Sequence, residues 1–135
     1  MDYSLSCLEN NDNSIPVYAI LLKNFKIIDE SSNFGNKHAE IILLERNNIE
    51  NLDILITLEP CPSCLFLLYQ GGIRNIYFGA FNYQYGSCGG RFHLLNTIKT
   101  LRKINIFGGF CKTKNEKTLN RFFYRIRSKN LKFLQ

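Results

Sequence analysis

Two short segments constrain the fold of this chain more than any other feature: His38-Ala39-Glu40 and Pro60-Cys61-Pro62-Ser63-Cys64, with nineteen residues between Glu40 and Pro60. One imidazole, two thiols and a spare carboxylate in that pattern are the composition of a catalytic zinc site. Such a site holds its metal with three protein ligands and leaves the fourth position to water, whereas a structural site closes it with protein. The uncoordinated acid can then move protons for that water. A fold that uses the pattern must bring the starts of both segments to one point.

The local spacing allows this. Cys61 and Cys64 lie three apart at a helix start, so both sulfurs can face one way. Pro62 suits the first helical position, where its missing N–H costs nothing. The positive end of the helix dipole favours the thiolate form that a metal needs. His38 and Glu40 lie at a second helix start, one as ligand and one beside the metal. Cys-x-x-Cys also occurs in redox pairs and structural zinc clips. A thioredoxin-like motif lacks the upstream His-x-Glu, and a clip needs a second ligand pair. His93, the only other histidine, is not read as a fourth ligand.

The rest of the chain supplies an α/β frame. Ile15 to Leu22 is a dense apolar run, read as a buried strand, and Lys23-Asn24 turns it into a second strand, Phe25 to Asp29. Residues 31–37 form a polar loop, and a helix runs from His38 to about Arg46. Asp53 to Thr57 is a continuous apolar strand of the parallel-sheet kind. A helix from Cys61 stops at Gly71-Gly72, and a strand covers Asn75 to Phe78. After the glycine-punctuated loop Gly79 to Gly90, a weaker helix covers Phe92 to Leu101, a strand Lys103 to Phe107 and a helix Asn115 to Lys129. Met1 to Glu9 allows a short helix. The alternation predicts helices packed on a largely parallel sheet.

Length allows one domain, residues 1–135, and a hydrophobic fraction of 45% is enough for a core. No apolar stretch approaches the ~18 residues of a membrane span. Met1-Asp2-Tyr3-Ser4 is not the start of a secretory signal. Five cysteines are an odd number and fit a reducing compartment better than a disulfide framework. The expected location is cytoplasmic. Cys88, in the glycine loop, is read as a free small side chain without a zinc role.

Net charge is +6, unevenly placed. Residues 99–135 carry eleven Lys/Arg and one acid (+10), whereas residues 1–98 carry six and ten (−4). A polyanionic partner at the basic quarter explains this, and so does a solvated basic helix end. In the last helix, Leu119, Phe122, Phe123 and Ile126 fall on one core face. Lys117, Arg121, Arg125 and Lys129 form a basic stripe beside it, where phosphate contacts would be expected.

His38-x-Glu40 with Pro60-Cys61-x-x-Cys64 resembles the signature of the zinc-dependent nucleobase deaminases. Ile15-Pro16-Val17, Thr57-Leu58-Glu59-Pro60-Cys61, Gly71-Gly72-Ile73-Arg74, Tyr77-Phe78-Gly79-Ala80 and Leu119-x-x-Phe122-Phe123-x-x-x-Arg127 look like the bacterial tRNA-specific adenosine deaminases. The resemblance implies a three-layer, cytidine-deaminase-like α/β fold: a five-stranded mixed sheet with helices on both faces. It also implies hydrolytic deamination of adenosine to inosine at the wobble position of a tRNA anticodon. His38, Cys61 and Cys64 would hold Zn2+, and Glu40 would shuttle protons. Asn33 would contact the flipped base and Phe123 would lie near the anticodon loop, unless it is core only. Independently of the resemblance, the basic stripe makes Arg121 and Arg125 expected RNA contacts, with Asn82 beside the site; the protein would be a homodimer.

The chain departs from the family pattern in places. Only four residues separate Asn33 from His38, bulky Leu65-Phe66-Leu67-Leu68 follows Cys64, and Asn82 stands where an acid is usual. These differences predict an altered dimer interface and less repulsion of a phosphate backbone. Two rival functions remain at this stage. A deaminase of free guanine, cytosine or deoxycytidylate shares the chemistry but needs no extended basic surface. A silent zinc module that binds RNA needs no acid beside the metal.

Overall fold

The apolar run becomes β1 (Tyr18–Lys23), buried at every position from Tyr18 to Leu22. The fold is that of a computed structural model, which describes residues 17–97 and 103–109. β2 (Lys26–Ser32) returns antiparallel after Asn24-Phe25. Both turn residues have positive φ, 50° and 62°, as a two-residue hairpin turn requires if its twist is to match the strands. Phe25 therefore belongs to the turn, and the second strand starts one residue later than the sequence predicts. It also continues past Asp29 to Ser32.

The other elements follow the expected order: α1 (Ala39–Arg46), β3 (Asp53–Leu58), α2 (Pro62–Gln70), β4 (Asn75–Ala80), α3 (Leu94–Thr97) and β5 (Asn105–Phe107). Of the helix predicted over 92–101, the described part is the single turn α3. The remainder of that helix, the expected helices over residues 1–9 and 115–129, and Ile15-Pro16 lie outside the described residues.

The five strands form one sheet in the order β2-β1-β3-β4-β5. β3 and β5 both run parallel to β4, but β1 is antiparallel to β2 and to β3. The sheet is thus mixed, as the resemblance implies, and not largely parallel as the alternation alone suggests. The hairpin is the reason: it inserts β1 between β2 and β3, so the β2–α1–β3 crossover passes over a strand of opposite direction.

One face of the sheet offers Ala19, Leu21, Ile54, Ile56 and Ile76 to Ala39 and Leu43 of α1 and to Leu65 and Leu68 of α2. The other face carries Tyr18, Ile20, Leu22 and Leu55, with Ile27 and Tyr77 against them. β1 and β3 are buried on both faces, which accounts for their unbroken apolar runs. Truncating fully buried Leu68 to Ala would cost about 2–5 kcal/mol.

Polar side chains fix the register at one end of the parallel strands. Asp53 accepts from Arg74 twice at 3.1 Å and from Asn75 Nδ2 at 2.8 Å. Asn105 Nδ2 donates to Asn75 Oδ1 at 3.0 Å. Asp53, Asn75 and Asn105 are register partners across β3, β4 and β5. The opposite, carboxyl ends of the strands open on the site, where α/β sheets bind ligands.

Candidate metal centre and substrate cavity

His38 and Cys61 are the N-cap residues of α1 and α2, both with extended backbone. N-caps are usually Ser, Thr, Asp or Asn, whose side chains bond the first helical N–H groups. Here neither side chain caps its helix. For α1 the duty passes to Asn33, whose Oδ1 accepts from the Ala39 N–H at 2.8 Å. His38 is thereby left to face α2. Its Nδ1 lies 3.3 Å from Cys64 Sγ and 3.7 Å from Cys61 Sγ, and all three ligand atoms lie within 4.8 Å of one another.

These separations test whether the residues suit a metal. With Zn–S near 2.3 Å and Zn–N near 2.0–2.1 Å, a tetrahedral angle places nitrogen and sulfur about 3.5–3.6 Å apart. The two observed values bracket that distance. The donors, two thiols and an imidazole, are the soft and borderline set that zinc accepts. The group can therefore hold a metal ion.

The thiols are electrostatically unequal. The hydrogen bond from Cys64 holds Cys61 down to about 4, against the pull of burial and with help from Ser63, whose Oγ lies 3.2 Å from Cys61 Sγ. Cys64 is pushed strongly up, first because it donates that bond and then by burial. The two thiols are thus held on opposite sides of their ordinary range. Binding of a metal would favour the deprotonated form of both.

Glu40, in the first turn of α1, is only 3% exposed. Its Oε2 is buried without a hydrogen-bond partner among the described residues. Burial is the main reason its carboxyl is raised from 4.5 to about 7; its own backbone N–H and His38 pull it down, and Cys61 pushes it up. A buried carboxylate with an unsatisfied oxygen needs a compensating charge. A cation held by the neighbouring triad would supply one.

The site opens into a cavity of ≈ 560 Å³, within the range of small-molecule pockets. Val17, Asn33, Gly35, Asn36, His38, Glu40, Leu58, Glu59, Cys61, Pro62, Ser63, Asn82 and Tyr85 line it. The structure so gathers His38, Glu40, Cys61, Cys64, Asn33 and Asn82 around one space. Arg121, Phe123 and Arg125 lie outside the described residues. Cys88 and His93 are bridged to each other and line a separate cavity of ≈ 300 Å³. Burial pushes the Cys88 thiol up to about 12, so it is an inert thiol at neutral pH.

The sequence reading gave no role to Glu59, Ser63 or Tyr85. Glu59 is 2% exposed, and its carboxylate accepts from the backbone N–H groups of Asn82 (2.9 Å), Cys88 (2.6 Å) and Gly90 (2.8 Å). The available signal was an acid just past an apolar strand, with a glycine loop rich in backbone donors further along the chain.

The chain is similar to known proteins in sequence and in fold. The chain is 31% identical over 143 residues to the tRNA-specific adenosine deaminase of Haemophilus influenzae, covering 94% of this chain and 83% of that protein. The protein of the same description from Rickettsia felis is 28% identical over 130 residues, covering 85% and 90%. No family model matches the chain. Among solved structures, one from studies of A-to-I editing by tRNA:A34 deaminases aligns with a TM-score of 0.60 at 22% identity, covering 69% of this chain and 82% of that one. A dCMP deaminase from the cyanophage S-TIM5 aligns at 0.56 with 17% identity, covering 78% and 88%. At such identities the structures speak for a shared fold alone. The Haemophilus relationship extends over nearly the whole chain, and by it this protein belongs to the tRNA-specific adenosine deaminase family.

Proposed function

We propose that this protein converts adenosine to inosine at the wobble position of a tRNA anticodon, releasing ammonia, with Zn2+ on His38, Cys61 and Cys64. The observation that carries the reading is a three-donor cluster with zinc spacing beside a buried carboxyl, one of whose oxygens has no partner among the described residues, at the wall of a nucleoside-sized cavity. His38, Cys61 and Cys64 would hold the zinc, whose chemistry there would be to make water a nucleophile near neutral pH. Glu40 would accept a proton from the attacking water, deliver it to the ring nitrogen as C6 is attacked, and assist departure of the amine. Its burial keeps the proton on this path by excluding bulk water.

Asn33 contacts the base from the cavity wall. Its Oδ1 is anchored by the Ala39 N–H, so the contact is tied to the helix that carries His38 and Glu40. A base must leave its stack to enter, which favours a single-stranded loop as substrate. Asn82 lines the same cavity without the charge that would repel a phosphate backbone. Phe123, Arg121 and Arg125 contact the anticodon stem-loop, as the +10 charge of residues 99–135 supports. Phe66 and Leu67, 49% and 40% exposed on α2, support a homodimer. No described helix is long and apolar enough to cross a membrane, and the reducing chemistry of the thiol site fits the cytoplasm.

A deaminase of free guanine, cytosine or deoxycytidylate would use the same ligands. Incubation with an anticodon stem-loop and sequencing for inosine separates the two. Inosine at the wobble position supports the tRNA reading; turnover of free base or nucleotide with none in RNA overturns it.

A further inference from the structure

Glu59 directly follows β3 and stands before the ligand segment Pro60-Cys61, yet its carboxylate hydrogen bonds go to backbone N–H groups and not to sulfur or imidazole. Among the described residues no Lys or Arg forms an ion pair with it. A carboxylate 2% exposed must still be compensated. Among the described residues the compensation comes from backbone: Asn82 N–H on Oε2, and Cys88 and Gly90 N–H on Oε1. One side chain so gathers both ends of the 82–90 segment. Ser87 adds a second tether to the adjacent residue, donating its N–H (3.0 Å) and its hydroxyl (2.7 Å) to the Pro60 carbonyl. The fit is close: a Cβ on Gly86 or Gly90 would collide with Glu59 Oε2 and the Asn82 carbonyl.

The tethered segment presents Asn82 and Tyr85 to the cavity that His38 and Glu40 also line. Asn82 is itself locked, its Oδ1 accepting from the Gln84 and Tyr85 N–H groups. We propose that Glu59 is a positioning residue for the nucleotide substrate, holding residues 82–90 as a preformed cavity wall. It sets substrate affinity, not metal affinity or the chemical step. This rests on the deaminase reading above for its choice of substrate. Without the tether the wall samples other conformations, and apparent affinity falls with the fraction still competent.

Glu59→Gln separates the bonds. The amide keeps one carbonyl oxygen for Cys88 and Gly90 but must turn its NH2 toward the Asn82 N–H. Loss of one charge-assisted bond predicts a KM for the anticodon stem-loop raised about tenfold, with kcat changed less than about threefold. Zinc content stays at wild-type level, and amide exchange at Asn82 accelerates by a similar factor. Gly90→Ala, which displaces the same carboxylate, shows the same split and decides the matter if Glu59→Gln does not fold. Unchanged KM with protected Asn82, Cys88 and Gly90 amides overturns the proposal. So does a loss of zinc or kcat at constant KM, which would make Glu59 a support for the ligand segment. A wild-type protein inactive on RNA refutes the tRNA reading instead; amide exchange and KM for the free base or nucleotide it does deaminate then decide Glu59.

Discussion

Burial of Glu40 leads to a measurable pH dependence of stability in the metal-free protein. Its carboxyl is raised from 4.5 to about 7, chiefly by burial. Below pH 4.5 the folded and unfolded chains are both protonated at this residue, and its contribution to stability is whole. As pH rises toward 7 the unfolded chain ionises while the folded chain keeps its proton, so stability falls; above 7 the loss is complete. At about 1.4 kcal/mol per tenfold, the full loss is about 3 kcal/mol. Glu40→Gln removes the titration and leaves a neutral side chain of the same shape. The thiols bend the absolute curve the other way, because Cys61 is held down to about 4. The difference between wild type and Glu40→Gln cancels them. Thermal melts of chelated, reduced protein should therefore show the variant gaining about 3 kcal/mol on wild type between pH 4 and 8, roughly 10 °C in Tm for a domain of this size. Restoring zinc shrinks the gap, since a cation beside the carboxylate stabilises its charged form. A gap that is constant with pH, or that widens toward pH 4, refutes the argument from burial.

Further expectations concern activity and binding. Glu40→Ala keeps zinc and RNA affinity but lowers the single-turnover rate of inosine formation by at least about 10²–10⁴, the usual worth of a general acid–base; undiminished turnover would assign the proton transfers elsewhere. Cys64→Ser or His38→Ala removes one of three ligands and should abolish stoichiometric zinc by elemental analysis, whereas Cys88→Ser retains it. Charge reversal at Arg121 and Arg125 weakens anticodon stem-loop binding and, for two single-strand phosphate contacts, flattens the log–log salt slope by about 1.4. An unchanged slope excludes that stripe from the RNA footprint.

Much of this was legible in the sequence because local chemistry carried it. The apolar runs through Leu21 and Ile54 marked strands buried on both faces, and the structure buries them there. Pro62 after Cys61, and His38 ahead of an apolar helix, marked the two helix starts that meet at the site. What was not legible depends on distant partners. That β1 pairs antiparallel with β3 is set by long-range register, not by either strand's own pattern. Phe25 at φ 62° follows from the twist of the hairpin, against the ordinary preference of a bulky residue. Asn33 was read as a base contact, yet the structure also makes it the cap of α1. The role of Glu59 was hidden because its partners are backbone N–H groups, which every residue but proline carries.

The most direct measurement is the coordination of bound zinc by X-ray absorption. Ligation by His38, Cys61 and Cys64 with an exchangeable water predicts two sulfurs near 2.3 Å and two light atoms near 2.0–2.1 Å, one of them lost or altered when a nucleoside analogue enters. A third sulfur, or a shell of four protein ligands indifferent to the analogue, would make the centre structural and contradict a hydrolytic site.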